Sequence, residues 1–293
     1  MSPKPHSRIR TLLAGAVVSL VLPASLLAQQ TPTARDLIRQ ACDAAGTLET
    51  YSRLGTLQLD LSREEVAVGG AVTRSRLTRF ATTPGPVPGR FEIAEHKLVA
   101  GDDGSGGWAL LDEQPDPRPQ TVYMVKRQLQ TDLFPLLLPF SLTWDGVGIS
   151  AVTSHRFQDR DVWRLAVDFE RAFFSSPQIS LVWFVYVDKT THQVMGAESV
   201  HTDLGHGLRA DGMRFSWPKR TTLRGVTLPA EQRVVGVDEI GKEKAHTRTE
   251  LLAWSLVPPA RAATLFENPL PPDERTGHQR PPMVPGMPGG DPR

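Results

Sequence analysis

The chain has 293 residues, including 24 Gly and 25 Pro, with 40% hydrophobic and 22% charged residues. That balance excludes a disordered chain and an all-helical membrane protein. A net charge of +1 excludes nucleic-acid binding through a dominant basic field. The single cysteine, Cys42, leaves no internal disulfide, no CxxC pair and no multi-cysteine zinc site.

Lys4, Arg8 and Arg10 precede an uncharged apolar run over 11–22 (TLLAGAVVSLVL), then Pro23, Ser25 and Ala28. This order predicts a secretory signal peptide over 1–28 and an exported, periplasmic protein. Without those three cations the balance is 30 basic against 32 acidic residues. No second run is long enough to span a bilayer, since 133–142 (LFPLLLPFSL) is short and holds two prolines. No transmembrane span is therefore expected in the mature chain. Residues 269–293 contain eight Pro and four Gly, a composition that predicts a disordered tail. The folded domain is expected over 31–268.

Within that domain, Thr33 with Asp36 three residues later predicts a helix start. Ala34, Leu37, Ile38, Ala41 and Ala45 follow at helical spacing, and Gly46 ends the helix. A short second helix is expected within 48–54. The period then changes to two. Leu57, Leu59 and Leu61 alternate with polar residues, and 71–80 reads as a polar strand. Further alternation marks Phe91 and Ile93; Trp163, Leu165 and Val167; and Met213, Phe215 and Trp217. The run 179–187 (ISLVWFVYV) predicts a central strand covered on both faces, and 226–237 and 243–254 read as two more strands. A helix over 123–138 would turn Leu129, Leu133 and 136–138 inward, with Lys126, Arg127 and Asp132 facing away. Short turns between sequential strands imply an antiparallel meander. The predicted class is α+β, mainly β: a long curled antiparallel sheet with a few helices on its concave face.

Four short motifs carry a family resemblance. They are Asp103-Gly104 followed by Trp108-Ala109-Leu110-Leu111-Asp112; Asp188-Lys189-Thr190-Thr191 followed by Val194; Arg224-Gly225-Val226-Thr227-Leu228-Pro229; and Leu265-Phe266-Glu267-Asn268-Pro269. In this order they resemble the LolA/LolB-like superfamily of periplasmic lipoprotein carriers and outer-membrane lipoprotein-sorting proteins. The resemblance covers about 34–269. It implies an incomplete β-barrel whose cavity, between sheet and helices, takes lipids or lipoprotein acyl chains, with envelope membrane proteins as donor or acceptor. No family site residue maps onto a single position here.

A lipid cavity needs apolar walls and neither cofactor nor catalytic group. The expected lining is the three inward rows, Leu57, Leu59 and Leu61; Trp163, Leu165 and Val167; and Met213, Phe215 and Trp217. Ordinary packed core is the other reading of the same rows. Two further functional readings stand beside the carrier. One is a metal-dependent envelope hydrolase using Glu198, His201, Asp203 and His206, residue types that ligate metals but here run into a Gly-containing loop. The other is a structural envelope protein of the same fold without a cavity. There is no G-x-S-x-G, and Gly101–Gly107 lacks the Lys-Ser/Thr of a P-loop.

Overall fold

A computed structural model describes residues 31–66, 71–85, 87–116, 118–170, 181–203, 208–238 and 242–270. The predicted signal peptide over 1–28 lies outside the described residues, as does 271–293 of the predicted tail. Asn268 and Leu270 are buried.

Two helices lead the domain, α1 (Ala34–Ala45) and α2 (Leu48–Ser52). The Thr33 hydroxyl oxygen accepts from the Asp36 backbone N–H at 3.1 Å, satisfying one free donor of the first turn. Leu37, Ala41, Cys42 and Ala45 form the buried stripe. Burial pushes the Cys42 thiol up to about 12, so it is an inert apolar side chain. Gly46 ends α1 with φ 118°, and a Cβ there would collide with the backbone of Gly225.

Thirteen strands among the described residues form one antiparallel sheet. They are β1 (Leu57–Val66), β2 (Val72–Thr82), β3 (Gly89–Ile93), β4 (Leu98–Asp102), β5 (Gly107–Leu111), β6 (Gln114–Pro115), β7 (Val147–Phe157), β8 (Arg160–Phe169), β9 (Leu181–Asp188), β10 (Val194–Asp203), β11 (Leu208–Leu223), β12 (Val226–Val237) and β13 (Glu243–Leu256). Two more helices are α3 (Pro119–Leu136), between β6 and β7, and α4 (Pro259–Leu265), after β13. The spatial order is β6-β5-β4-β3-β2-β1-β13-β12-β11-β10-β9-β8-β7. Every neighbour is sequential except β1 with β13, so the chain is two meanders joined where its two ends meet.

The sheet is open, with edges at β6 and β7. It also curls. Helix α1 is about 18 Å long at 1.5 Å per residue. It touches both β12 and β7, which would stand about 24 Å apart in a flat sheet. The result is a curled antiparallel sheet with α1 and α3 against its inner face, as the alternation predicts, and an incomplete β-barrel, as the family resemblance implies.

Turn chemistry sets the hairpins. Arg224 and Gly225 both have positive φ (47° and 85°), the primed turn that matches strand twist between β11 and β12. At the β9–β10 turn the Asp188 carboxylate accepts from the Thr190 and Thr191 backbone N–H groups at 2.9 and 2.7 Å. Burial raises its pKa, but those amides and Arg160 prevail and hold it below the ordinary carboxylate range.

The structure departs from expectation in three places. Strand β7 has weak alternation and an exposed outer row, as an edge strand should, and its sequence gave no sign of it. The apolar strand β9 is interior but third from the β7 edge. Its Trp183, Val185 and Val187 enter the main core, whereas Tyr186 and Phe184 join Phe157 and Val162 in a small outer cluster. Finally, Arg127 and Asp132 of α3 do not face away; both border clefts between helix and sheet.

Candidate functional site: two clefts beneath helix α3

The apolar run at 133–142 closes one end of the inner space. Leu133, Phe134, Leu137 and Phe140 are fully buried. Phe134 meets the rings of Trp144, Phe169 and Trp183 edge-on at 6.2, 5.2 and 5.1 Å, and Phe140 stacks on Tyr51 at 4.1 Å. This end is close-packed.

Most of the sequence-predicted lining belongs to that packed core. Leu57, Leu59, Trp163, Leu165, Val167 and Trp217 are buried in the main hydrophobic cluster and border neither of the two clefts described here. Leu61, Met213 and Phe215 do border a cleft. Met213 is 44% exposed, at its mouth.

Further along α3 the inner face opens. A smaller cleft of about 230 Å³ lies between Arg127, Thr131, Asp132 and Pro135 of the helix and the sheet, where Leu61, Trp183 and Phe215 give it apolar walls. Arg63, Arg248, Glu250, Gln232 and Ser199 supply its polar wall. A larger cleft of about 570 Å³ lies beneath Met124, Val125 and Gln128, floored by Phe80, Phe91, Ile93 and Leu98. Arg76, Thr78 and Arg118 complete it. Arg63 and Asp132 border both spaces.

The polar residues follow from register. The inward row of β1 continues past Leu61 to Arg63, and that of β13 runs from Trp254 and Leu252 to Glu250 and Arg248. Arg63 pairs across the sheet with Arg76 on β2 and Glu250 on β13, and Glu250 pairs with Gln232 on β12. One transverse row, Arg76–Arg63–Glu250–Gln232, thus crosses four strands. Continuing each alternation by one step would have found it.

Glu250, 1% exposed, is the hub. Arg63 Nε donates to its Oε1 at 2.7 Å and Gln232 Nε2 to its Oε2 at 2.7 Å. Arg248 Nε lies 2.8 Å from Oε1. Trp217 Nε1 donates to Gln232 Oε1 at 3.0 Å, which ties this network to the core. Burial pulls the Arg248 pKa down, against Glu250. Burial likewise raises the Asp132 carboxyl above its ordinary range, although Arg63, the Gln128 hydrogen bond at 2.5 Å and Arg248 pull it back.

Of the sequence-predicted polar cluster over 198–206, Glu198 lies elsewhere, on the outer face. Glu198 is buried there and accepts from Tyr186 Oη at 3.0 Å and Arg214 Nε at 2.7 Å. The side chains of His201 and Asp203, and all of His206, lie outside the described residues. Among the described residues no three His, Cys, Asp or Glu are grouped to hold a metal.

No family model matches the sequence, and no curated protein matches it. Solved structures do match the fold. A LolA superfamily protein from Nitrosomonas europaea aligns with a TM-score of 0.51 at 11% identity, over 78% of this chain and 97% of that one. A DUF1329 family protein from Desulfovibrio piger (TM-score 0.49, 10% identity) aligns over 80% of this chain and 96% of its own. An outer membrane lipoprotein-sorting protein domain from Vibrio parahaemolyticus (TM-score 0.47, 9% identity) aligns over 80% and 99%. The open antiparallel sheet with helices against its inner face is thus similar in fold to the LolA superfamily protein from Nitrosomonas europaea.

Proposed function

We propose that the protein is an extracytoplasmic carrier of lipids or lipoprotein acyl chains. It takes a hydrocarbon chain beneath α3, and no bond is made or broken. The observation that carries this reading is the larger cleft. Its volume of about 570 Å³ falls in the range of small-molecule sites, and its floor is aromatic and aliphatic. Burying hydrocarbon is worth about 0.8 kcal/mol per CH₂, so a 16-carbon chain supplies roughly 10 kcal/mol before association costs. The fold supports the same reading, since an open sheet with a covering helix can admit a chain along the helix without unfolding.

The signal-like segment over 1–28 supports a periplasmic location. No described helix is long and apolar enough to cross a membrane. Envelope membrane proteins are the natural donor and acceptor for such a cargo. The test is organic extraction of the exported, purified protein, followed by mass spectrometry. Near-stoichiometric lipid is expected. Absence of lipid together with no binding of a fluorescent fatty acid would overturn the reading, and a stoichiometric metal would favour the hydrolase instead.

A further inference from the structure

Leu61 and the residues around it do not form a uniformly apolar space. The two clefts and their margins hold five guanidinium groups, those of Arg63, Arg76, Arg118, Arg127 and Arg248, of which Arg118 is paired with Asp116. Facing them are Asp132, Glu250 and, beside Arg248, Glu65. Glu250 accepts hydrogen bonds from Arg63 and Gln232 and lies beside Arg248, whose Nε has no hydrogen-bond partner among the described residues. Arg127, on the helix wall of the smaller cleft, has no ion pair among the described residues.

Hydrogen-bond donors are in excess too. Trp183 lines the smaller cleft and is 1% exposed, and its indole N–H has no acceptor among the described residues. Thr131 and Ser199 add hydroxyl groups to the same walls. Arg63, Arg127 and Arg248 place charged donors on the same walls, so this site suits a ligand atom that accepts. At about 230 Å³ the smaller cleft suits a compact group rather than a chain, and it shares Arg63 with the larger apolar space.

We infer that the cargo is an anionic lipid. Its carboxylate or phosphate is held in the smaller cleft by Arg127 with Arg63 and Arg248, and its hydrocarbon lies in the larger cleft. This rests on the carrier reading and names the chemical class of what is carried. Desolvated guanidinium groups bind an anion through charge-assisted hydrogen bonds, which a neutral ester of equal length cannot replace.

The test is displacement of a fluorescent fatty acid from the full exported chain. The competitors are a 16-carbon fatty acid, its methyl ester, the matching alkyl phosphate and inorganic phosphate. The acid and the alkyl phosphate should displace at concentrations about tenfold below the ester, a gap of about 1.4 kcal/mol. The gap should narrow at high salt. Whichever anion is preferred identifies the headgroup. Arg127→Gln should shrink the gap severalfold at unchanged melting temperature, whereas Lys126→Gln, beside it but bordering neither cleft, should keep it. Equal displacement by acid and ester, or a full gap in Arg127→Gln, would overturn the inference and leave the carrier reading standing. Inorganic phosphate as effective as the alkyl phosphate would overturn it as well, by making the cleft an ion site alone. Failure of the parent fatty-acid probe to bind at all would sink the carrier reading and the inference with it.

Discussion

The two ends of the inner face differ although one alternation runs through both. Beneath the C-terminal end of α3, Phe134 interlocks with Trp144, Phe169 and Trp183, and the rows of β1 and β8 are fully covered. Further along the helix the rows of β1 and β13 reach Arg63, Glu250 and Arg248, and space opens. Alternation fixes which side chains point inward. It does not decide whether they meet a partner or a cavity. What separates the ends is the size and charge of the helix side chains above them: Leu and Phe fill space, whereas Arg127 and Asp132 must keep a polar surround.

The largest expected effect lies at the packed end. Phe134→Ala removes a ring held by three aromatic neighbours and should cost about 3–5 kcal/mol in equilibrium denaturation. A loss below about 1 kcal/mol would mean that this end is not close-packed. At the border between the ends, Phe215 stacks on Trp183 at 4.9 Å and already faces a cleft. Phe215→Ala should therefore cost less, about 1–2 kcal/mol, while changing the affinity for a fluorescent fatty acid. Equal costs for the two variants would erase the contrast.

Much of this architecture was legible from residue types. Helix α1 follows from its cap and stripe, and the strand rows through Leu57 and Trp163 follow from period two. What misled was polarity. Met213, Phe215 and Trp217 read as one apolar row, yet the backbone bulges between Ser216 and Lys219, Trp217 turns its indole to Gln232, and Met213 is left at the cleft mouth. Arg63, Glu250 and Arg248 belong to none of the inward rows named from the sequence, because charged residues are the usual sign of solvent. Only the register that brings Glu250 beside Arg63 makes their inward direction affordable. Asp132 was misplaced for the same reason.

Two smaller effects sharpen the electrostatic side of the contrast. Asp188, at a hairpin outside the clefts, has its pKa held down by the Thr190 and Thr191 amides and Arg160. A depressed carboxylate stabilises the fold above its unfolded pKa, near 3.9, and the benefit is lost as pH falls through the lower folded value. Asp188→Ala should thus cost about 1–2 kcal/mol at pH 7, with the gap to wild type closing below about pH 4. Asp132 has the opposite sign. Its folded pKa is raised, so it binds a proton more readily when folded and penalises stability as pH rises above the unfolded value. Asp132→Asn should give a modest rise in melting temperature at pH 7 that disappears in acid. A fall at pH 7 would show that Arg63 and Arg248 outweigh burial.

The central claim is that the open end beneath α3 is where the cargo lies. Photo-crosslinking with a diazirine fatty acid, followed by peptide mass spectrometry, tests it most directly. The account predicts saturable labelling of the peptides that carry Phe80, Phe91 and Met124, suppressed by unlabelled fatty acid. Saturable labelling confined to the outer face around Phe157 and Phe184, or no saturable labelling at all, would contradict it.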